Sequence, residues 1–159
     1  MANRYFQVHD ARNAELDGAN KLNTSSTGIY RGVLAGWPSG GSLAISTGSA
    51  PYGQFYDFLR LEEKPQSEDL GGYLSGKEVN VVTGKYMISA GPDLFTAGSV
   101  AAVGSLLYPG VAGLLDTVQQ WPGTAVIGKV VAHHTIADSG GSGSFTAARC
   151  MMELPVYNT

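Results

Sequence analysis

The chain has 159 residues and a formal net charge of −3, the size of one domain with enough length to bury a core. Charged residues make up 14% of it and are joined by 22 glycines and 7 prolines, whereas an average soluble domain is about 25% charged. Ten basic residues scattered among thirteen acidic ones exclude nucleic-acid binding through a basic patch, and the single cysteine, Cys150, excludes an intrachain disulfide framework.

The opening segment, Met1 to Asp10, lacks the apolar core of a secretory signal. Residues 1–28 are polar and mostly aperiodic, with Leu16 and Leu22 the only large apolar residues between Ala11 and Leu22. Such a segment buries too little to offset its ordering entropy, so it is predicted to be an extended N-terminal arm that orders on contact with another surface. Residues 29–159 are predicted to form a single β-rich domain. Its first strand, Ile29 to Ala35, is stopped by Gly36-Trp37-Pro38-Ser39-Gly40-Gly41, and Leu43 to Ser46 follows. Phe55 to Leu61 is rich in strand-favouring aromatics, and residues 62–76, with most of the local charge, read as an exposed loop. Glu78 to Thr83 and Lys85 to Ser89 straddle Gly84, the pattern of a hairpin or a bulge.

Leu94 to Leu115 is 22 residues without a charge, long enough to span a bilayer. Only 14 of these are apolar, no basic flank follows, and a Tyr108-Pro109-Gly110 turn divides the run. Buried strands joined by tight turns fit it better than a membrane helix. A helix of any length fits only Asp93 to Val103, weakened by Gly98. Strands are then expected over Gly104 to Tyr108, Val111 to Val118, Ala125 to Ile136 and Phe145 to Leu154. Many short strands with Gly/Pro turns point to an all-β fold, a small barrel (β-tulip-like) or sandwich with little helix.

Candidate chemistry is sparse. Gly71-Gly-Tyr-Leu-Ser-Gly-Lys77 fits the spacing of a phosphate-binding loop, but Glu78 stands where a magnesium-holding Ser or Thr is needed. His133 and His134 are adjacent, so in a strand they point to opposite faces and do not chelate one metal; a further ligand would have to come from His9 or a distant carboxylate such as Asp138. Cys150 among apolar neighbours suits a buried, inert thiol. No catalytic set, metal or cofactor is expected.

What remains is surface chemistry. Between Lys85 and Lys129 only Asp93 and Asp116 carry charge, and 43 such residues are hard to hide in a chain of this length. Trp37 and Trp121 each precede a proline in a turn, and half-exposed aromatics are favoured at interface centres. A charge-poor body with a polar arm suits a subunit that docks on a larger assembly.

The central stretch, Gly84-Lys-Tyr-Met-Ile-Ser-Ala-Gly91, Gly104-Ser-Leu-Leu-Tyr-Pro-Gly-Val-Ala-Gly-Leu-Leu115 and Gly123-Thr-Ala-Val-Ile-Gly-Lys-Val-Val131, resembles the decoration (cement) proteins of tailed-bacteriophage capsids over roughly residues 80–135. The resemblance implies a non-enzymatic virion protein, made in the host cytoplasm and bound to the outer capsid surface. It would be a homo-oligomer, a trimer more than a dimer, whose partner is the major capsid protein, with no role for nucleic acid or membrane. Tyr5, Phe6 and Val8 of the arm would then be anchors added to a shell strand by β-augmentation. Trp37, Tyr108 and Trp121 would complete the interface. The alternatives are a carbohydrate- or ligand-binding module of the fibre or adhesion type, stacking sugars on Trp37, Tyr52, Tyr56 and Trp121, or a head-tail connector subunit.

Overall fold

The architecture is all-β: a curled antiparallel half-barrel sheet, with no long helix among the described residues. The computed structural model describes residues 5–16, 31–39, 42–46, 48, 51–58, 79–137 and 143–155, with the backbone alone described for 10–16, 37–39, 42, 56–58 and 79–80. The strands are β1 (Phe6–Leu16), β2 (Leu34–Ser39), β3 (Ser42–Ile45), β4 (Gly53–Phe58), β5 (Val79–Ala90), β6 (Leu106–Pro109), β7 (Leu115–Asp116), β8 (Gly128–Ala137) and β9 (Ser144–Leu154). They pair in the order β3-β2-β4-β5-β9-β8-β6-β7, and β1 joins β5.

Strand β5 organises the sheet. Val82 lies opposite Leu16 of β1 and Gln54 of β4, and Gly84 to Ala90 take β1 on one edge and β9 on the other. Strands β4 and β9 therefore follow one another along a single edge of β5. The handover falls at Gly84, whose φ of 92° is open to glycine and strained for other residues. The sequence pattern around Gly84 thus resolves as a bend within one long strand, where the sheet turns a corner, and not as a hairpin.

Alternation sorts the side chains. Tyr86, Ile88 and Ala90 of β5 and Ala148, Cys150, Met152 and Leu154 of β9 face the core, joined by Leu34, Leu43, Phe55, Leu107, Leu115, Ile127 and Val130. The alternate residues, Lys85, Met87 and Ser89 with Arg149, Met151 and Glu153, share the other face. Inside the core one polar link is complete: the Tyr86 hydroxyl donates to Gln54 Oε1 at 2.7 Å, and Gln54 Nε2 donates to the Gly32 carbonyl at 2.8 Å. It ties β5, β4 and the turn before β2 together without an orphaned polar group.

Several expectations are corrected. The arm is, from Phe6 to Leu16, a strand of the protein's own sheet. Its polar composition concealed this, because backbone pairing along the β5 edge needs no apolar side chains and one buried ring, Phe6, docks its start. The expected break at Gly36 to Ser39 lies within β2, which pairs with β3 up to Ser39. Asp93 to Val103 is not a helix: a single 3-10 turn at Pro92–Leu94 gives way to irregular turns, with Gly98 at φ 72°. Val111 to Val118 contains a second 3-10 turn and only the two-residue β7. The uncharged Leu94 to Leu115 run is likewise turns and short strands, and among the described residues no helix is long and apolar enough to cross a membrane. The 62–76 loop, residues 17–28 and the 71–77 glycine motif lie outside the described residues.

Candidate functional site on the outer sheet face

Five of the six residues expected at an interface have described side chains. Phe6 is 4% exposed and belongs to the core, so it is not free to anchor another protein. Val8 packs partly buried against the same core. Tyr5 is half-buried; its hydroxyl donates to Gln7 Oε1 at 2.6 Å, and its ring meets Phe145 edge-on at 5.8 Å. Tyr108 is half-buried in β6, opposite Asp116. Trp121 is half-buried in a turn whose carbonyl accepts from Thr124 N–H at 3.2 Å and Thr124 Oγ1–H at 2.5 Å. The backbone of Trp37 lies in β2, and its side chain is outside the described residues.

The loop leading to Trp121 is rigidly built. Asp116, largely buried, accepts from the Val118 N–H at 2.9 Å and from Gln120 Nε2 at 2.8 Å. Gln119 Nε2 reaches the Thr124 carbonyl at 2.6 Å. This local scaffold holds apolar side chains outward. Val118 is 61% exposed, and Val103, Leu106, Val111 and Val126 are exposed with it. Together with Met151 they are the exposed large hydrophobics among the described residues, and all but Met151 fall between Val103 and Val126.

The outer face of the β5-β9-β8 sheet carries a second apolar feature. Met87 pairs with Met151, Met151 with Lys129 and Lys129 with Leu106, so these four form one row across β5, β9, β8 and β6. Met87, Met151 and Val126 line a shallow trough of about 510 Å³ flanked by Lys85, Lys129 and Glu153. Lys85 Nζ and Glu153 Oε1 are 3.9 Å apart and well exposed, which adds little stability.

Beside this row lies a polar cluster that sequence reasoning did not assemble. Ser89 of β5 faces Arg149 of β9 and Gln7 of β1. Strand β1 has an irregularity between Val8 and Asp10 and β8 one between Val130 and Ala132. Each inserts one residue into the pairing and so reverses the face presented beyond it. On β1 the inserted residue is His9, whose Nε2 lies 2.5 Å from Ser89 Oγ. On β8 the insertion puts Ala132 opposite Arg149 and His134 opposite Ala147, and His134 Nε2 lies 3.2 Å from the same oxygen. The two rings stand edge to face, 6.5 Å between centroids. His133, exposed, turns away and meets the Ala101 carbonyl at 2.7 Å. The two adjacent histidines do diverge as alternation predicts, and the bulge decides which one joins the cluster.

Among the described residues the electrostatics are one-sided. The His9 ring is held below its usual pKa by partial desolvation, then by Arg149 and His134. The His134 ring is lowered by desolvation, then by Arg149 and His133. Among the described residues Arg149 has no ion-pair partner, and none of the His, Cys, Asp and Glu side chains form a group of three able to hold a metal. Cys150 lies fully buried on the opposite, core side, where desolvation pushes its thiol up to about 12. No protein-family model matches this sequence, and no curated protein matches it.

Proposed function

We propose that the protein is a non-enzymatic structural subunit, a decoration or cement protein that binds the outer surface of a phage capsid and bridges neighbouring capsomers. The observation that carries this reading is the concentration of exposed apolar side chains between Val103 and Val126 on a turn-rich, charge-poor scaffold. Isolated exposed hydrophobics are ordinary, but several on rigid turns favour burial against a partner. The stretch that resembles decoration proteins is the one that carries them. Ser89, the hydroxyl hydrogen-bonded to the paired imidazoles, is itself fully buried, which suits a positioning group better than a nucleophile. The trough itself offers sugars no exposed aromatic platform, and of the four aromatics that a sugar-binding module would use, the side chains of Trp37 and Tyr56 lie outside the described residues.

A subunit that binds only the assembled lattice stabilises that state by mass action, repeated over many sites. The test mixes purified protein with particles that lack it. Hundreds of bound copies and a raised particle melting temperature are expected, and Val111→Asp with Val118→Asp should abolish binding while leaving the protein's own melting temperature nearly unchanged. A dozen copies or fewer would mean a connector subunit. Absence of binding would reject the reading.

A further inference from the structure

We propose that His9, Ser89, His134 and Arg149 form a binding site for a single oxyanion, a carboxylate or a sulfate- or phosphate-like group, held between the Arg149 guanidinium and the His134 ring. The inference does not depend on the capsid reading.

Hydrogen-bond counting leads to it. Ser89 Oγ has one hydrogen and two imidazole nitrogens within reach. The hydroxyl can donate one hydrogen bond and accept two, so one arrangement that satisfies both neutral rings has it accept from one and donate to the other. His9 Nε2–H donating to Ser89, and Ser89 donating to His134 Nε2, puts the His134 proton on Nδ1. That Nδ1 is buried and has no partner, and neither has the buried Nε of Arg149. These two are the only buried side-chain nitrogens or oxygens without a hydrogen bond among the described residues. They belong to diagonal neighbours on one sheet face, since Arg149 lies opposite Ala132 and His134 opposite Ala147. Arg149 Nε is an orphaned donor, and His134 Nδ1 is a second one in this tautomer and in the imidazolium; both cost free energy unless an acceptor completes them.

The surrounding charges select the sign of that acceptor. Arg149 comes from β9, His9 from β1, and His133 and His134 from β8, while β5 contributes the neutral Ser89; Lys85 and Glu153, further along the same face, offset each other. A cation is repelled by this set, whereas an anion gains charge-assisted hydrogen bonds from a planar guanidinium. Desolvation and then the positive neighbours lower both ring pKa values in the free protein; an anion offsets the second of these causes, so binding is coupled to proton uptake and strengthens as pH falls. The bulge in β8 gives the arrangement its geometry, since without it His133 and not His134 would lie on the face of Ser89; His9 shares that face by alternation from Gln7.

The test is an NMR titration of the full chain with sodium sulfate and, separately, sodium acetate, at constant ionic strength made up with chloride. Imidazole signals of His9 and His134 are followed, with His133 as internal reference. Saturable shifts of His9 and His134, raised ring pKa values, and binding that tightens several-fold from pH 7.5 to 5.5 are expected; sulfate keeps its charge throughout this range. Arg149→Gln should weaken binding by about tenfold or more, the loss of one charge-assisted contact. Saturation by sulfate alone identifies a free tetrahedral oxyanion, and saturation by acetate identifies a carboxylate presented by a neighbouring surface. Should Arg149→Gln fail to fold, His9→Gln carries the test, because it removes one titrating ring and must flatten the pH dependence. No saturable shift with either anion, or equal binding by Arg149→Gln, overturns the proposal.

Discussion

The Phe6→Ala variant separates a docked strand from a free arm. Phe6 is 4% exposed, and its ring lies among Leu94, the Gly32 backbone and the core side of β5. Its backbone pairs with Ala90, and the preceding Tyr5 carbonyl accepts from Gly91 N–H at 2.8 Å. Removing a buried phenylalanine ring costs about 3–5 kcal/mol, as lost transfer energy plus the cavity left behind. Domains of this size lose about 2–4 °C of melting temperature per kcal/mol, so a fall of about 6–20 °C is expected. Such a loss is a large share of a total stability of about 5–15 kcal/mol. The assay is thermal and urea unfolding of the purified protein, followed by circular dichroism and tryptophan fluorescence. Tyr5→Ala serves as the comparison: it is half-buried with a single edge-on ring contact, and its loss should cost about 0.5–1.5 kcal/mol. A melting temperature for Phe6→Ala within 1 °C of the parent would refute the docked strand and restore the arm.

Tyr86→Phe leaves Gln54 Oε1 without its donor inside the core, and urea unfolding should register a loss of about 1–3 kcal/mol. Gly32→Ala should destabilise by about 1–3 kcal/mol or more: φ is +88°, and a Cβ there would stand 2.6 Å from Leu94 Cδ1 and 2.8 Å from Phe6 Cδ2. Cys150, with its thiol pushed up to about 12, should resist a thiol reagent at pH 8 in the native protein and react fully in urea; fast native labelling would contradict its burial. Because the His9 and His134 rings are lowered in the folded state, the unfolded chain binds more protons as pH falls below the ordinary histidine value. The stability they contribute is present above about pH 6.5 and declines as pH falls through their lowered folded values. In anion-poor buffer the melting temperature should therefore drop between pH 7 and 5, and Arg149→Gln should lessen the drop.

Much of the fold was legible in the chain. The runs Leu43 to Ser46, Ala125 to Ile136 and Phe145 to Leu154 each coincide closely with a strand, as does the described part, Phe55 to Phe58, of the run to Leu61, because β-prone residues bounded by Gly and Pro leave the backbone few alternatives. The low charge between Lys85 and Lys129 foretold exposed apolar side chains, and the structure has them on the turns from Val103 to Val126. The opposite directions of His133 and His134 and the burial of Cys150 followed from alternation and neighbouring composition.

The sequence by itself determined the all-β class, the turn-rich central region and the burial of Cys150, since these depend on local conformational preference and neighbouring composition. Tertiary structure alone decided the rest. Whether residues 6–16 were arm or strand depended on an open edge of β5, more than sixty residues away along the chain. The partner change at Gly84 depended on which strands reach that edge. The meeting of His9, Ser89, His134 and Arg149 depended on the pairing of β1, β5, β9 and β8 and on the single-residue bulge in β8, and a bulge reverses every side chain beyond it while leaving almost no mark on local composition. Pairing across long sequence separations is a property of the whole sheet's hydrogen bonding, and no short stretch of chain carries it.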